Sequence, residues 1–324
     1  MTNTVSTVPE AMPEKLIAAV AAQSTRSVSS DFPILAEALL ERYGTSADGV
    51  ILYGSCLRTS DLDEGIADLY VLVDDYKNAY TRRHLSLLNA WLAPNVFYLE
   101  VSHQDRTLRA KYAVITTAEF EKGAQYWFHS YIWARFAQPS RLLYARDEKN
   151  RQRIFNALAH SVITFLSSGG KTLENNAFTV ADIWTRCLML SYAAELRAEQ
   201  ETRARHLATL NLNDFTQLTE TAYPALTEVF NYQPESGTYL CRNTAATRRL
   251  ALQHWRLRRW QGRILSVLRL SKATLTFSGY LEYAAWKIER HTGVSVEITP
   301  VLRRHPVIWG LKVMWQLLRR GIIR

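Results

Sequence analysis

Residues 51–75 read ILYGSCLRTSDLDEGIADLYVLVDD, and two features in them decide the fold. An apolar run ends in Tyr53-Gly54-Ser55, and a second apolar run, Leu69–Val73, is headed by the lone acid Asp68. Gly54 has no Cβ to block the approach of a phosphate to the backbone, and Ser55 adds a hydroxyl donor beside it. If the chain turns into a helix after Ser55, free N–H groups would face the same anion. Asp68 is the residue placed to hold a divalent metal.

This pattern predicts a nucleotidyltransferase-type site on an α/β fold. The string Ser60-Asp61-Leu62-Asp63 imitates the Ser-Asp-x-Asp signature of such sites, but Glu64-Gly65 after it signals a turn. The run after Asp68 is rich in β-branched and aromatic residues, as a buried strand requires. Asp68 therefore takes the metal position, and Tyr70 stands where a second acid is usual. Asp74 lies six residues along the same strand, roughly 20 Å away at the strand rise, too far to share an ion. Glu100, in the run Asn95–Val101, is the candidate second metal ligand from a neighbouring strand, with a solvated edge glutamate as the alternative.

The 324 residues, 48% hydrophobic, can bury an ordinary core in about two domains. Cys56, Cys187 and Cys241 are too scattered for a zinc site or a disulfide framework, and the eight histidines show no metal spacing. Residues 1–16 carry neither a secretion-signal nor a transit-peptide pattern. The longest uncharged stretch, Ile154–Gly170, contains His160, Asn156, serines and glycines, and reads as a helix of a soluble domain rather than a membrane span. Gly170-Lys171-Thr172 imitates the end of a P-loop, but a helix precedes it where that motif needs a strand, so a helix stop is expected.

Charge is uneven. Arg248–Arg324 holds sixteen Lys and Arg against three acids, giving +13 and leaving −4 for residues 1–247 of a net +9. Two segments dominate, Arg248–Lys272 and the tail Val307–Arg324. In the tail, Val307, Leu311, Met314, Trp315, Leu318 and Ile322 recur at helical spacing opposite Lys312, Arg319 and Arg320. With Arg303, Arg304 and Trp309, these residues form the expected docking surface for an anionic membrane. Packing against the catalytic domain is one alternative. Nucleic acid is another, because tryptophan interleaved with arginine fits RNA phosphates and bases as well as lipid; the apolar breadth of the tail favours lipid.

The pattern predicts helices at 15–22, 32–43 and 79–92, strands at 49–53, 69–73, 96–102 and 110–116, and helical character over 118–136, 155–166 and 181–200. The organisation that follows is an N-terminal helix and linker at 1–30, a catalytic core at 31–146, a helical second domain at 147–272 and a basic amphipathic region at 273–324.

Over most of residues 50–290 the chain resembles the mitochondrial-type phosphatidate cytidylyltransferases, the translocator assembly and maintenance family. The resemblance rests on Tyr53-Gly54-Ser55, Asp68–Asp75, Lys111–Thr116, Tyr131–Pro139 and Leu190-Ser191-Tyr192 with Glu195 and Arg197, followed by the basic pair Arg203 and Arg205. Departures are Ala113 and Ala134 for glycines, Gln138 for a lysine and Glu195 for an aspartate. That family also lacks the second strand acid. The resemblance implies a nucleotidyltransferase-like mixed sheet with a winged-helix-like second domain, and a magnesium-dependent reaction of CTP with phosphatidic acid that gives CDP-diacylglycerol and pyrophosphate. Asp68 would hold Mg2+, and Tyr53, Gly54 and Ser55 would seat the triphosphate. Lys111 and Arg135 would neutralise phosphate charge, and Tyr192, Glu195 and Arg197 would line the opposite wall. A peripheral protein at the cytoplasmic face of an inner membrane is expected. An RNA-directed nucleotidyltransferase and a non-catalytic lipid-docking protein are the competing readings.

Overall fold

A computed structural model describes residues 12–59, 65–195 and 201–276. The chain begins with α1 (Glu14–Ser24) and α2 (Asp31–Tyr43), followed by β1 (Ala47–Tyr53), the single turn α3 (Cys56–Thr59) and β2 (Ala67–Val73). Next come α4 (Tyr76–Ala79), α5 (Arg83–Trp91), β3 (Asn95–His103) and β4 (Arg106–Thr116). Two short helices, α6 (Thr117–Gln125) and α7 (Trp133–Phe136), lead to β5 (Ser140–Ala145) and the long α8 (Glu148–Gly170). The remainder comprises β6 (Ala177–Phe178), α9 (Val180–Ala194), α10 (Glu201–Leu210), α11 (Leu212–Ala222), β7 (Phe230–Gln233), β8 (Thr238–Cys241) and α12 (Ala245–Thr276).

The fold is mixed α/β. Five strands form one sheet in the order β3-β4-β2-β1-β5, with β2 and β4 parallel and every other pair antiparallel. The alternation along β1 divides the core, because successive side chains leave a strand on opposite faces. Val50 and Leu52 join Leu35 and Leu39 of α2, with Leu69 and Val71 of β2. Ile51 joins Tyr70, Leu72 and Ile115 in a cluster that continues through Phe120, Trp133 and Phe136 to Phe165, Trp184 and Phe215. The second cluster therefore crosses residue 146 without interruption, and the indole of Trp184 stacks on Phe215 at 3.7 Å. Helix α1 packs on α8 and α11, where Arg26 grips Asp214 through two hydrogen bonds of 2.6 and 2.9 Å.

Caps mark several helix starts, as short oxygen-bearing side chains at these positions should. Asp147 accepts from the Asn150 N–H at the head of α8, and Thr179 and Asp182 form a reciprocal capping box on α9. The expected helix over 79–92 is split into α4 and α5, and the expected helical run 118–136 breaks between Gln125 and Trp133. Residues 168–172 are a helix end, as expected: α8 stops at Gly170 and the Thr172 hydroxyl donates to the Gly169 carbonyl at 2.7 Å. Strand β5 and the small antiparallel sheet β6-β8-β7 are additions to the expected pattern.

Helix α12 has two unlike sides. Inward, the Trp255 indole donates to the Ser168 carbonyl at 2.9 Å and Arg258 to the Phe128 carbonyl at 2.7 Å. Near its end, Lys272 donates to the carbonyls of Leu88, Leu92 and Pro94, which fastens the helix to the end of α5. Outward, Leu257, Trp260, Ile264 and Val267 are exposed, and Arg256, Arg259 and Arg263 are exposed beside them. Among the described residues no helix is long and apolar enough to cross a membrane. The segment 273–324 assigned to docking, with Arg303, Arg304, Trp309, Lys312, Trp315, Arg319 and Arg320, has no described side chains.

Candidate active site

Strand pairing builds the site. Tyr53 at the end of β1 lies opposite Asp68 on β2, and Asp68 is in register with Lys111 on the parallel strand β4. The three residues form a row across the sheet, and Lys111 Nζ reaches Asp68 Oδ1 at 3.1 Å. Gly54 follows with φ of 91°, a conformation that glycine adopts without the steric cost a side chain brings. A Cβ at Gly54 would sit 3.0 Å from Asp68 Oδ2. The glycine is therefore required twice, for its backbone angle and for the carboxylate packed against it. Ser55 is exposed at the mouth, and α3 follows as a single turn. One turn has little dipole, so α3 contributes little field to the mouth of the site.

These residues open into a cleft of about 210 Å³. Tyr53, Gly54, Ser55 and Asp68 line one part of it, and Arg135, Tyr192 and Glu195 line another. Arg135 is the most tightly held of the expected residues. It donates to the Tyr70 hydroxyl and to the Tyr131 carbonyl, each at 3.1 Å, and meets Glu195 at 3.4 Å. Its guanidinium lies 4.2 Å from the Tyr131 ring centre, and Arg269 of α12 lies 3.8 Å from the same centre. Burial works against the Arg135 charge, but Glu195 and the surrounding tyrosines outweigh it and hold the group firmly protonated. Burial likewise opposes ionisation of Tyr131, yet Arg135 and Arg269 overcome it and bring that phenol below its ordinary value. Tyr53 moves the other way: burial, then the Asp68 charge, push its phenol up. On the opposite wall the Tyr192 hydroxyl donates to Gln138 Oε1 at 3.2 Å, and the Gln138 amide donates to the Ala134 carbonyl at 3.0 Å.

Other expected residues are placed differently. Glu100 is on β3, separated from β2 by β4, and is not among the cleft walls. Its carboxylate is 52% exposed, accepts from the Tyr98 hydroxyl at 2.8 Å and pairs with Arg109 at 3.2 Å. Glu100 takes the alternative place, a solvated edge glutamate, for a topological reason: the strand next to Asp68 is β4, which offers Lys111 at that register. Asp74, at the far end of β2, accepts from the Asp75 N–H and from Asn78. Arg203 lines the cleft, whereas Arg205 pairs with Asp182 at 3.2 Å. Arg197 and residues 60–64 lie outside the described residues. No group of three or more His, Cys, Asp or Glu able to hold a metal occurs among the described residues.

The cleft also contains Arg141, Asn211 and Asp214, none of which the motif reading singled out. Arg141 lies two residues after Pro139 on a strand whose only advance signal was that proline. No protein-family model matches the chain, and no curated protein matches it in sequence.

Proposed function

We propose that the chain is a phosphatidate cytidylyltransferase, joining CTP to phosphatidic acid to give CDP-diacylglycerol and pyrophosphate. The observation that carries this reading is the left-handed Gly54 packed against the Asp68 carboxylate, with Lys111 paired to that carboxylate and Arg135 lining the same cleft. The missing side chain lets the Asp68 carboxylate lie directly against the turn, so that an ion held by Asp68 would be next to the Gly54 backbone. The Ser55 hydroxyl stands beside it as a donor.

Magnesium fits this donor set. Mg2+ binds through one or two carboxylates together with waters and substrate phosphates, and Asp68 supplies one hard oxygen ligand that faces the cleft. Bound there, the ion would neutralise phosphate charge and polarise the α-phosphorus of the nucleotide. The acceptor phosphate is already an anion near neutral pH, so its attack on that phosphorus needs little help from a base. One P–O bond forms to the lipid phosphate as the bond to pyrophosphate breaks. The chain's part is orientation and charge. Lys111 turns from Asp68 to the phosphates, Arg135 presents a fixed positive charge, and Tyr192 and Glu195 shape the facing wall. The small sheet with α8–α11 is read as the winged-helix-like unit that closes the cleft.

The outer side of α12 supports access to a substrate that stays in a bilayer. Exposed Leu257, Trp260, Ile264 and Val267 beside exposed arginines suit the interface of an anionic membrane, and the expected site of action is the cytoplasmic face of an inner membrane. Purified protein with labelled CTP, magnesium and phosphatidic-acid liposomes tests the proposal. Labelled liponucleotide should form, and Ser55→Ala should lower its rate. No product from the parent, or an unchanged rate in the variant, would remove the reading.

A further inference from the structure

The Gly54-Ser55 turn is flanked on both sides. Tyr53 is paired with Asp68 on the β2 side, and Leu52 is paired with Arg141 on the β5 side. Arg141 and Asp68 line one cleft, but their surroundings differ in kind. Arg141 is half-buried, and its one hydrogen bond to protein among the described residues runs from Nη1 to the carbonyl of its own neighbour, Ser140, at 3.0 Å. Its Nε is buried without a partner. Burial and then the nearby Arg26 charge work against its protonated form, and Asp214, the carboxylate that favours it, has both oxygens taken by Arg26.

A guanidinium in this state is costly. Buried charges in folded proteins are paired, or the site makes up the missing interaction when a ligand arrives. Arg135, in the same cleft, shows the paired condition, with Glu195, Tyr70 and the Tyr131 carbonyl occupying its donors. Arg141 spends one donor on its neighbour's carbonyl and leaves Nε without a partner, and the planar guanidinium fork matches two oxygens of a phosphate.

We infer that Arg141 is an anion subsite of this cleft, binding a phosphoryl group on the flank of the Gly54-Ser55 turn opposite Asp68. The inference rests on the proposed reading that the cleft takes phosphorylated substrates, and deepens it by naming a residue for one of the two anions that must meet there. The group bound is either the distal part of the nucleotide triphosphate, which leaves as pyrophosphate, or the phosphomonoester of the acceptor.

Calorimetry on the full chain separates these sources without relying on turnover. The probes are inorganic pyrophosphate, CTP and glycerol 3-phosphate, each titrated into the parent, Arg141→Gln, Arg141→Lys and Asp214→Asn. Arg141→Gln should weaken at least one probe by roughly 10- to 100-fold, the scale of a charge-assisted pair. Arg141→Lys, which keeps the charge but loses the fork, should fall between, and it carries the test if the glutamine variant does not fold. Asp214→Asn should tighten the same probe by removing the nearby negative charge, and that gain should shrink when it is combined with Arg141→Gln, a coupling that a merely structural arginine would not produce. Loss confined to pyrophosphate and CTP assigns the subsite to the triphosphate; loss confined to glycerol 3-phosphate assigns it to the acceptor. If the variants melt with the parent and bind all three probes equally well, the inference is overturned while the proposed function stands. If the parent binds none of them, both fall.

Discussion

Two ion pairs meet at the same cleft, one through Asp68 and one through Arg135 and Glu195, and they differ in kind. Lys111 and Asp68 meet at 3.1 Å with side chains 37% and 29% exposed. Arg135 and Glu195 meet at 3.4 Å with side chains 10% and 18% exposed. The first is set by strand register and is partly open to water, where such a pair contributes about 0–1 kcal/mol. It parts easily, as a pair must if the carboxylate is to exchange a lysine for a metal and the lysine an acid for a phosphate. The second is enclosed by Tyr53, Tyr70 and Tyr131 and does not rearrange without loss. On the proposed reading, mobile charge would serve the chemistry and fixed charge the wall.

The sharpest break in that contrast comes from Asp68→Asn. Transfer from labelled CTP to phosphatidic acid should fall by roughly 10²–10³-fold or more, while the melting temperature stays near that of the parent. A variant that retains activity would show that the exchangeable pair has no part in the reaction. Glu195→Gln should do the reverse and act on stability first. It leaves the Arg135 charge with little to balance it, at about 2–4 kcal/mol in urea denaturation, toward the lower end for buried pairs because Glu195 keeps some water contact. If its midpoint matches that of the parent, the two pairs are not different in kind.

Gly54→Ala sharpens the first pair further. The alanine would be strained at φ of 91° and would press on Asp68 Oδ2, costing about 1–2 kcal/mol and weakening CTP binding by calorimetry. The smallest effect is expected for Glu100→Gln, within about 0.5 kcal/mol of the parent and with an unaltered magnesium dependence of the rate. A shifted magnesium requirement there would restore Glu100 as a ligand.

Much of the cleft was legible in residues 51–75 because its parts are local. A strand, a glycine and a second strand headed by an acid are visible as apolar runs with punctuation, and the pairing of Tyr53 with Asp68 follows when those runs lie side by side. Strand order is a longer-range property. Whether Glu100 or Lys111 would neighbour Asp68 depends on β4, not β3, pairing in parallel with β2, and no periodicity within either segment carries that information. Strand β5 escaped for another reason. Ser140–Ala145 is short and half-buried along most of its length, so its pattern is weak, and Arg141 was hidden with it. In α12 the charge count was right but its orientation was not readable: Arg258, Arg269 and Lys272 turn inward toward carbonyls and rings, against the expectation that basic residues stay in solvent.

Gly262 lies where α12 crosses the end of α9, and a Cβ there would run into the Ala194 carbonyl oxygen. The two backbones therefore touch directly, one residue short of Glu195. A displacement of α12 toward α9 would be passed from main chain to main chain, one residue before the Glu195 that holds Arg135. The long helix is in that sense a lever, and its fulcrum is a missing methyl group.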